Sequence, residues 1–211
     1  MKQDWKTAIV DGVEYKYSSD WIHSLESEEH WKAYWQQISL ILKDTKPGES
    51  ILEIGPGSGF VSNYLRSKGY QVTTLDIDED KSPDIVANIV QYPFPHTYDH
   101  ILAFEVFEHV PFETFTGLLP RLRKAALKNI FLSVPRNYKI WFHMDLITPY
   151  FRKMSFTLKT KRRKIIADRH FWELDFRNLT LSSLIRTFEE AGFKITTIKK
   201  VKLMVFIQLK P

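Results

Sequence analysis

SILEIGPGSGF, residues 50–60, is the stretch from which the rest of the chain is read. Ile51, Leu52 and Ile54 form a short apolar run suited to a buried strand. Gly55, Gly57 and Gly59 follow at alternate positions. A helical pattern comes next, with Val61, Tyr64 and Leu65 facing inward and Gly69 as the stop. A second apolar run then ends in the acid Asp76. Strand, glycine turn, helix, strand and acid is the arrangement that holds an adenosine-containing molecule at the carboxyl ends of a parallel sheet.

Working outward, strands and helices keep alternating. Further strands are predicted over residues 71–75, 85–89, 99–104 and 129–134, with a helix over 112–127 kinked or restarted at Pro120. Thr180 caps a last helix with Leu184, Ile185 and Phe188 on one face and Gly192 at its end. Residues 193–198 and 203–209 read as an antiparallel pair. The expectation is a single α/β domain, residues 1–211, built on a Rossmann-like doubly wound seven-stranded sheet. The sheet is mostly parallel, with a C-terminal antiparallel hairpin.

Two segments fall outside this alternation. Residues 1–48 are expected to be a helical extension. Ser27 caps its helix, Glu28 and Glu29 suit the first turn, and Trp31, Tyr34, Trp35, Ile38, Ile41 and Leu42 make the apolar face. That face either packs on the sheet edge or roofs the ligand pocket. Residues 136–178 read as an insertion that covers the substrate, because they follow a strand on the ligand-bearing face and are too long for an idle loop. Within it Ile140, Met144, Ile147, Phe151 and Met154 recur at helical spacing, as in an apolar lid or an interfacial helix.

The chain has no cysteine, which excludes disulfides, thiolate metal sites and cysteine nucleophiles. Its net charge is +5, and the basic character is local. Arg152, Lys153, Lys159, Lys161, Arg162, Arg163, Lys164 and Arg169 face one acid, Asp168, within residues 151–169. This run is either a solvated loop or a contact with something anionic. With no signal peptide or long apolar span, the expected location is cytoplasmic, peripheral to an anionic membrane if residues 138–169 touch lipid.

Two adenosine-containing cofactors fit a glycine turn. The nicotinamide fingerprint needs a third glycine where this chain has Phe60, which argues against an NAD(P)-dependent oxidoreductase. Glu53, two residues before Gly55, suits instead the ammonium and sulfonium of S-adenosylmethionine. At this point the residues resemble a family. Residues 51–60 look like motif I of the class I S-adenosylmethionine-dependent methyltransferases, and Leu75-Asp76-Ile77-Asp78 like its second motif. Tyr92-Pro93-Phe94-Pro95 and Phe104-Glu105-Val106-Phe107-Glu108-His109-Val110 are similar to the strand 4 region of its small-molecule branch. The resemblance implies that Glu53, Gly55, Pro56 and Gly57 hold the methionine end, and that Asp76 holds the ribose with Ile77 against adenine. Asn88, where the family usually has aspartate, and the Ile89 amide face the ring; Phe104 and Glu105 line the pocket below the methyl.

The implied reaction is methyl transfer by in-line displacement to a small-molecule or lipid- or sugar-linked acceptor, at oxygen. A hydroxyl needs a base, and the candidates are His170 and His109, the latter also suited to a structural hydrogen bond. No compact cluster of carboxylates with a hard-cation geometry is visible, so no metal is expected. Nucleic acid is disfavoured, because the Asn/Asp-Pro-Pro-aromatic motif of base-amine methyltransferases is replaced by Phe104-Glu105-Val106-Phe107. A cofactor- or partner-binding module without catalysis is the remaining alternative.

Overall fold

The computed structural model describes residues 5–18, 22, 27–146, 154–167 and 169–211. The elements, in order, are β1 (Lys6–Val10), β2 (Val13–Tyr17), α1 (Glu28–Lys43), β3 (Ser50–Ile54), α2 (Phe60–Ser67), β4 (Gln71–Asp76), β5 (Ile85–Val86), β6 (Tyr98–Phe104), α3 (Phe112–Ala125), β7 (Ala126–Pro135), β8 (Tyr138–Leu146), β9 (Met154–Lys161), α4 (Leu181–Glu190), β10 (Lys194–Val201) and β11 (Met204–Lys210).

Seven strands form one sheet in the order β10-β11-β7-β6-β3-β4-β5. β5, β4, β3, β6 and β7 run parallel; β11 pairs antiparallel with β7 and with β10. The chain leaves β3 for β4 on one side and β6 lies on the other. That reversal opens a crevice at the carboxyl ends of β3 and β6, where ligands bind in such sheets.

Alternation along the strands divides the core into two layers. Leu52, Ile101, Ala103, Val205 and Ile207 face α3 and α4, where Phe115, Leu118, Leu122, Leu184 and Phe188 are buried. Ile51, Leu102, Phe104, Phe131 and Phe206 face α1 and α2, packing with Leu40, Ile41, Val61 and Leu65. Phe115 is fully buried and its ring meets Phe107, Phe112, Trp172 and Phe188. This aromatic cluster ties α3 and α4 to the turn after β6 and to residues 171–174.

Several expectations change. The N-terminal extension is not purely helical, since β1 and β2 form a hairpin before α1. Asp11 and Gly12, both at positive φ, make its two-residue turn. In α1 the Ser27 cap forms, but Trp31 and Trp35 are 51% and 66% exposed, so the core-facing stripe is narrower than the spacing predicted. β5 stops at Val86, short of residue 89, and the Asn88 side chain accepts from the Val90 amide in a turn. α3 passes through Pro120 as one helix and leads directly into β7.

The largest change is in the insertion. The segment read at helical spacing contains β8 and β9, an antiparallel hairpin. Phe142 pairs with Leu158, Met144 with Phe156 and Leu146 with Met154. The apolar residues therefore follow a period of two on one face. Ile147 and Phe151 lie outside the described residues. No helix is long and apolar enough to cross a membrane, among the described residues.

Phe115→Ala should cost about 3–5 kcal/mol of unfolding free energy, because the four rings around it cannot close the cavity. Urea denaturation followed by far-UV circular dichroism measures this. A loss below about 1 kcal/mol would mean that the aromatic cluster does not hold these elements together.

Candidate active site

β3 ends in the glycine turn because Gly55 and Gly57 adopt φ of 69° and 57°. Gly55 has a second constraint: a Cβ there would lie 2.7 Å from Val106 Cγ2. Its amide donates to the Leu75 carbonyl at 2.8 Å, which locks the turn to the end of β4. Phe60, where a nicotinamide fingerprint needs glycine, packs its ring 4.6 Å from Tyr34 and 4.9 Å from Trp31 of α1. Tyr34 also reaches the turn itself, its hydroxyl 3.0 Å from Ser58 Oγ.

A cavity of about 830 Å³ opens at this crevice. Every residue implicated as a cofactor contact lines it: Glu53, Gly55, Pro56, Gly57, Asp76, Ile77, Asn88, Ile89, Phe104 and Glu105. So do His109 and His170. Part of the remaining wall comes from segments outside the α/β alternation. Tyr15 to Ser18 of the N-terminal hairpin contribute, as do His30, Ala33, Tyr34 and Gln37 of α1, and Ile140 at the base of β8. α1 thus does both things considered for it, packing Leu40 and Ile41 in the core and covering the cavity with its first turns.

The cofactor end is acidic and incompletely satisfied. Glu53 is 4% exposed, and its Oε2 has no hydrogen-bond partner among the described residues. Burial pushes its carboxyl up to about 8, against weaker opposing contributions from Ser62 and Arg66. A cationic ammonium supplies the donor and the charge that this oxygen lacks. Asp76 is also buried, but it is already engaged. Lys81 Nζ lies 2.9 Å and 3.1 Å from its two oxygens, and the Asp78 amide donates to Oδ1 at 2.9 Å. An ionised carboxylate has about four acceptor positions, so room remains for ribose hydroxyls. The Asn88 carbonyl oxygen, expected to take the adenine amino group, already accepts from Val90 N at 2.9 Å and keeps one lone pair for a base. These residues fit S-adenosylmethionine: an orphaned carboxyl for the ammonium, a Cβ-free turn for close backbone approach, and an acid at the end of β4 for the sugar.

Between the two ends sits Glu105, in the left-handed region at φ 55°, which a non-glycine residue rarely adopts. Burial pushes its carboxyl up to about 7, while Ser133 Oγ donates to Oε1 at 2.9 Å and opposes the shift. Glu108 is fully buried, and both of its oxygens lack hydrogen-bond partners among the described residues. Burial, reinforced by the neighbouring charge of Glu105, raises it well above the usual carboxylate range.

The two candidate bases come together from distant segments. His109 and His170 rings are 4.9 Å apart and nearly perpendicular. His109 Nδ1 is 3.2 Å from the Arg169 carbonyl, and burial lowers the imidazole to about 3, so it is neutral at physiological pH. His170 Nδ1 is 2.7 Å from Glu173 Oε1. Burial opposes ionisation of Glu173, but hydrogen bonds from His170, Asn137 and the Ile166 amide outweigh it and hold the carboxyl below its ordinary range. Two bonds sew these segments together. The Phe171 amide donates to the Glu108 carbonyl at 2.8 Å, and Trp172 Nε1 donates to the Val110 carbonyl at 2.9 Å.

Sequence reasoning did not single out Lys81, Glu108, Ser133, Asn137 or Glu173 as site residues. A lysine five positions after Asp76 carried no signal. Glu108 stood inside a quoted motif without a role. The fold also brings together a cluster of another kind than the carboxylate cluster that was looked for: Glu108, His109 and His170 bring one donor atom each to within 4.8 Å of one another.

Comparison with known proteins agrees with this geometry. Residues 27–198 match a family model described as a methyltransferase domain. The chain belongs to that family, within the class I S-adenosylmethionine-dependent methyltransferases. Over 66 residues it is 32% identical to ribosomal RNA small subunit methyltransferase A of Francisella tularensis subsp. novicida, a match covering 31% of this chain and 25% of that protein. The chain therefore spans about a quarter of the length of that curated relative. Magnesium protoporphyrin IX methyltransferase from Synechocystis PCC 6803, solved with bound SAM, superposes with a TM-score of 0.61 at 14% identity, over 90% of this chain and 84% of that one. An S-adenosylmethionine-dependent methyltransferase from Mesorhizobium loti gives 0.59 at 14% identity, over 89% and 100%. At such identities these two likenesses speak for the shared fold.

The Glu53 carboxyl generates a pH prediction. Its folded pKa of about 8 lies above its ordinary value of 4.5. Its stabilising contribution to the unliganded protein is therefore complete below about pH 4.5 and lost as pH rises through about 8. An ammonium placed against Glu53 favours the ionised form, so binding of S-adenosylhomocysteine through its ammonium should strengthen with pH over the same window and release protons. Calorimetry in buffers of different ionisation enthalpy measures the release, and Glu53→Gln should reduce it. Equal proton release from wild type and variant would remove Glu53 from the cofactor site.

Proposed function

We propose that this chain transfers a methyl group from S-adenosylmethionine to an oxygen of a small-molecule or lipid- or sugar-linked acceptor. The observation that carries the reading is the single cavity joining the orphaned Glu53 carboxyl and glycine turn at one end to the His109–His170 pair at the other. The bound cofactor supplies a methyl on a cationic sulfur that departs as a neutral thioether, so the chain's task is alignment of the acceptor and removal of its proton. Glu173 fixes the His170 ring through Nδ1, leaving Nε2 to hold the acceptor hydroxyl and take its proton. Phe104 and the strained Glu105 backbone form the floor between donor and acceptor.

The test is incubation with labelled methyl donor and fractionated metabolite and lipid extracts. His170→Ala should lower turnover on the labelled acceptor by about 10²–10⁴-fold while S-adenosylhomocysteine affinity stays unchanged. Undiminished turnover removes His170 from the reaction. Cofactor binding with no labelled product from any extract supports a binding module instead.

A second proposal concerns access. Phe142, Met144 and Leu146 with Leu158, Phe156 and Met154 form an apolar ladder across one face of the β8–β9 hairpin, each between 48% and 62% exposed. Lys139, Lys159, Lys161 and Arg162 flank it. Such a face beside cations suits the interface of an anionic membrane better than nucleic acid, which offers no apolar phase. Ile140 at the base of the same hairpin lines the cavity, which gives a lipid-linked acceptor a path. The protein should co-sediment with vesicles containing phosphatidylserine, and Phe142→Ser with Phe156→Ser should weaken binding about tenfold or more. Recovery of wild type in the supernatant would refute the membrane contact.

A further inference from the structure

Glu108 and His109 lie on the short 3-10 turn after β6, and His170 stands in the loop before α4. They meet at the acceptor end of the cavity, one ligand atom from each within 4.8 Å of the others. Two independent features prepare the three residues for a shared ligand.

The first is the fixing of both imidazoles through Nδ1. A carbonyl only accepts, so His109 carries its proton on Nδ1 towards Arg169 and leaves a lone pair on Nε2. His170 turns Nδ1 to the Glu173 carboxylate, which is itself held by Asn137 and the Ile166 amide. Carbonyl- or carboxylate-oriented histidine presenting Nε2 is the arrangement that readies imidazole for a metal. The second feature is Glu108. It is fully buried with both carboxyl oxygens unpartnered among the described residues, although Arg169 contributes positive potential nearby. Leaving such a group unsatisfied costs free energy that a coordinated cation offsets.

We propose that Glu108, His109 and His170 bind one divalent metal ion, with open positions directed into the cavity for an oxygen of the acceptor. Two imidazoles and one carboxylate favour a borderline ion such as zinc, manganese, iron(II) or cobalt(II) over magnesium or calcium, which prefer oxygen alone. The site deepens the methyl-transfer reading and rests on it only for the identity of the bound oxygen. It narrows the acceptor class to hydroxyl compounds that ligate a metal. On coordination the hydroxyl gives up its proton to solvent; its oxygen then bonds the methyl carbon as the carbon–sulfur bond breaks, with the electron pair passing to sulfur. His170 is then a metal ligand, and the ion takes over the activating role given above to its free nitrogen.

The untagged full chain, dialysed with cobalt(II) or zinc(II) and then freed of excess, is the material for the test. Elemental analysis should find about one equivalent per chain, removable by EDTA. Cobalt should show the intensified visible absorption of a low-symmetry nitrogen–oxygen site. Glu108→Gln, nearly the same shape, and His170→Ala should each weaken metal binding by at least about tenfold. S-adenosylhomocysteine titration of the same samples reports whether each variant is folded. A chain that binds S-adenosylhomocysteine yet retains no metal and shows the aquo-cobalt spectrum overturns the proposal. So does metal held equally well by both variants. Metal retention with no S-adenosylhomocysteine binding would instead uphold the site and overturn the methyltransferase reading.

Discussion

Three carboxyl groups gather where β3 and β6 end, Glu53 and Glu108 buried and Glu105 partly buried. Burial raises all three above their ordinary range, and two of them carry orphaned oxygens. Apolar side chains of similar size would serve the fold at least as well. Their presence makes sense when cations arrive: an ammonium at Glu53 and, on the proposal above, a metal at Glu108. The backbone is bent to the same end, with Glu105 in the left-handed region and Gly55 pressed against Val106. Strain and unpaired polar atoms collected at one crevice are the physical mark of a working site.

The fold and the site are built from different parts of the chain. Parallel strands and covering helices create the crevice and its cofactor half. More of the cavity wall is added by the N-terminal hairpin, the first turns of α1 and the insertion after β7. What makes them one wall is a small set of long-range contacts. Trp172 bonds Val110 and stacks near Phe115, Phe171 bonds Glu108, and Tyr15 meets the Phe171 ring at 6.2 Å. Lys6 reaches from β1 to Asp78 in the loop after β4 at 2.9 Å. Variation in these added segments can reshape the cavity without disturbing the sheet, as expected when a site is grafted on a common scaffold.

Legibility followed the range of the interactions. The β3 turn, the Ser27 and Thr180 caps and the terminal hairpin are set by neighbours within a few residues, and they form as read. Residues 140–154 were read at helical spacing from Ile140 and Met144, although Phe142, Met144 and Leu146 alternate as in a strand. Cross-strand pairing with residues 154–161 decides for the strand. Trp31 and Trp35 satisfied the helical period, yet both stay more than half exposed, Trp31 meeting only the edge of α2 at Phe60 among the described residues. Periodicity says which residues share a face, not whether something lies against it.

The chain by itself determined the alternating sheet, the glycine turn with Glu53, and the acid at the end of β4, because strand period, left-handed glycine and capping are local properties. Only the tertiary structure decided that Lys81 holds Asp76, that the insertion is a hairpin, and that Glu108, His109 and His170 converge. Those outcomes depend on which buried groups find partners across long loops. Packing settles that choice, since no local rule encodes the closure of a loop that brings His170 to His109.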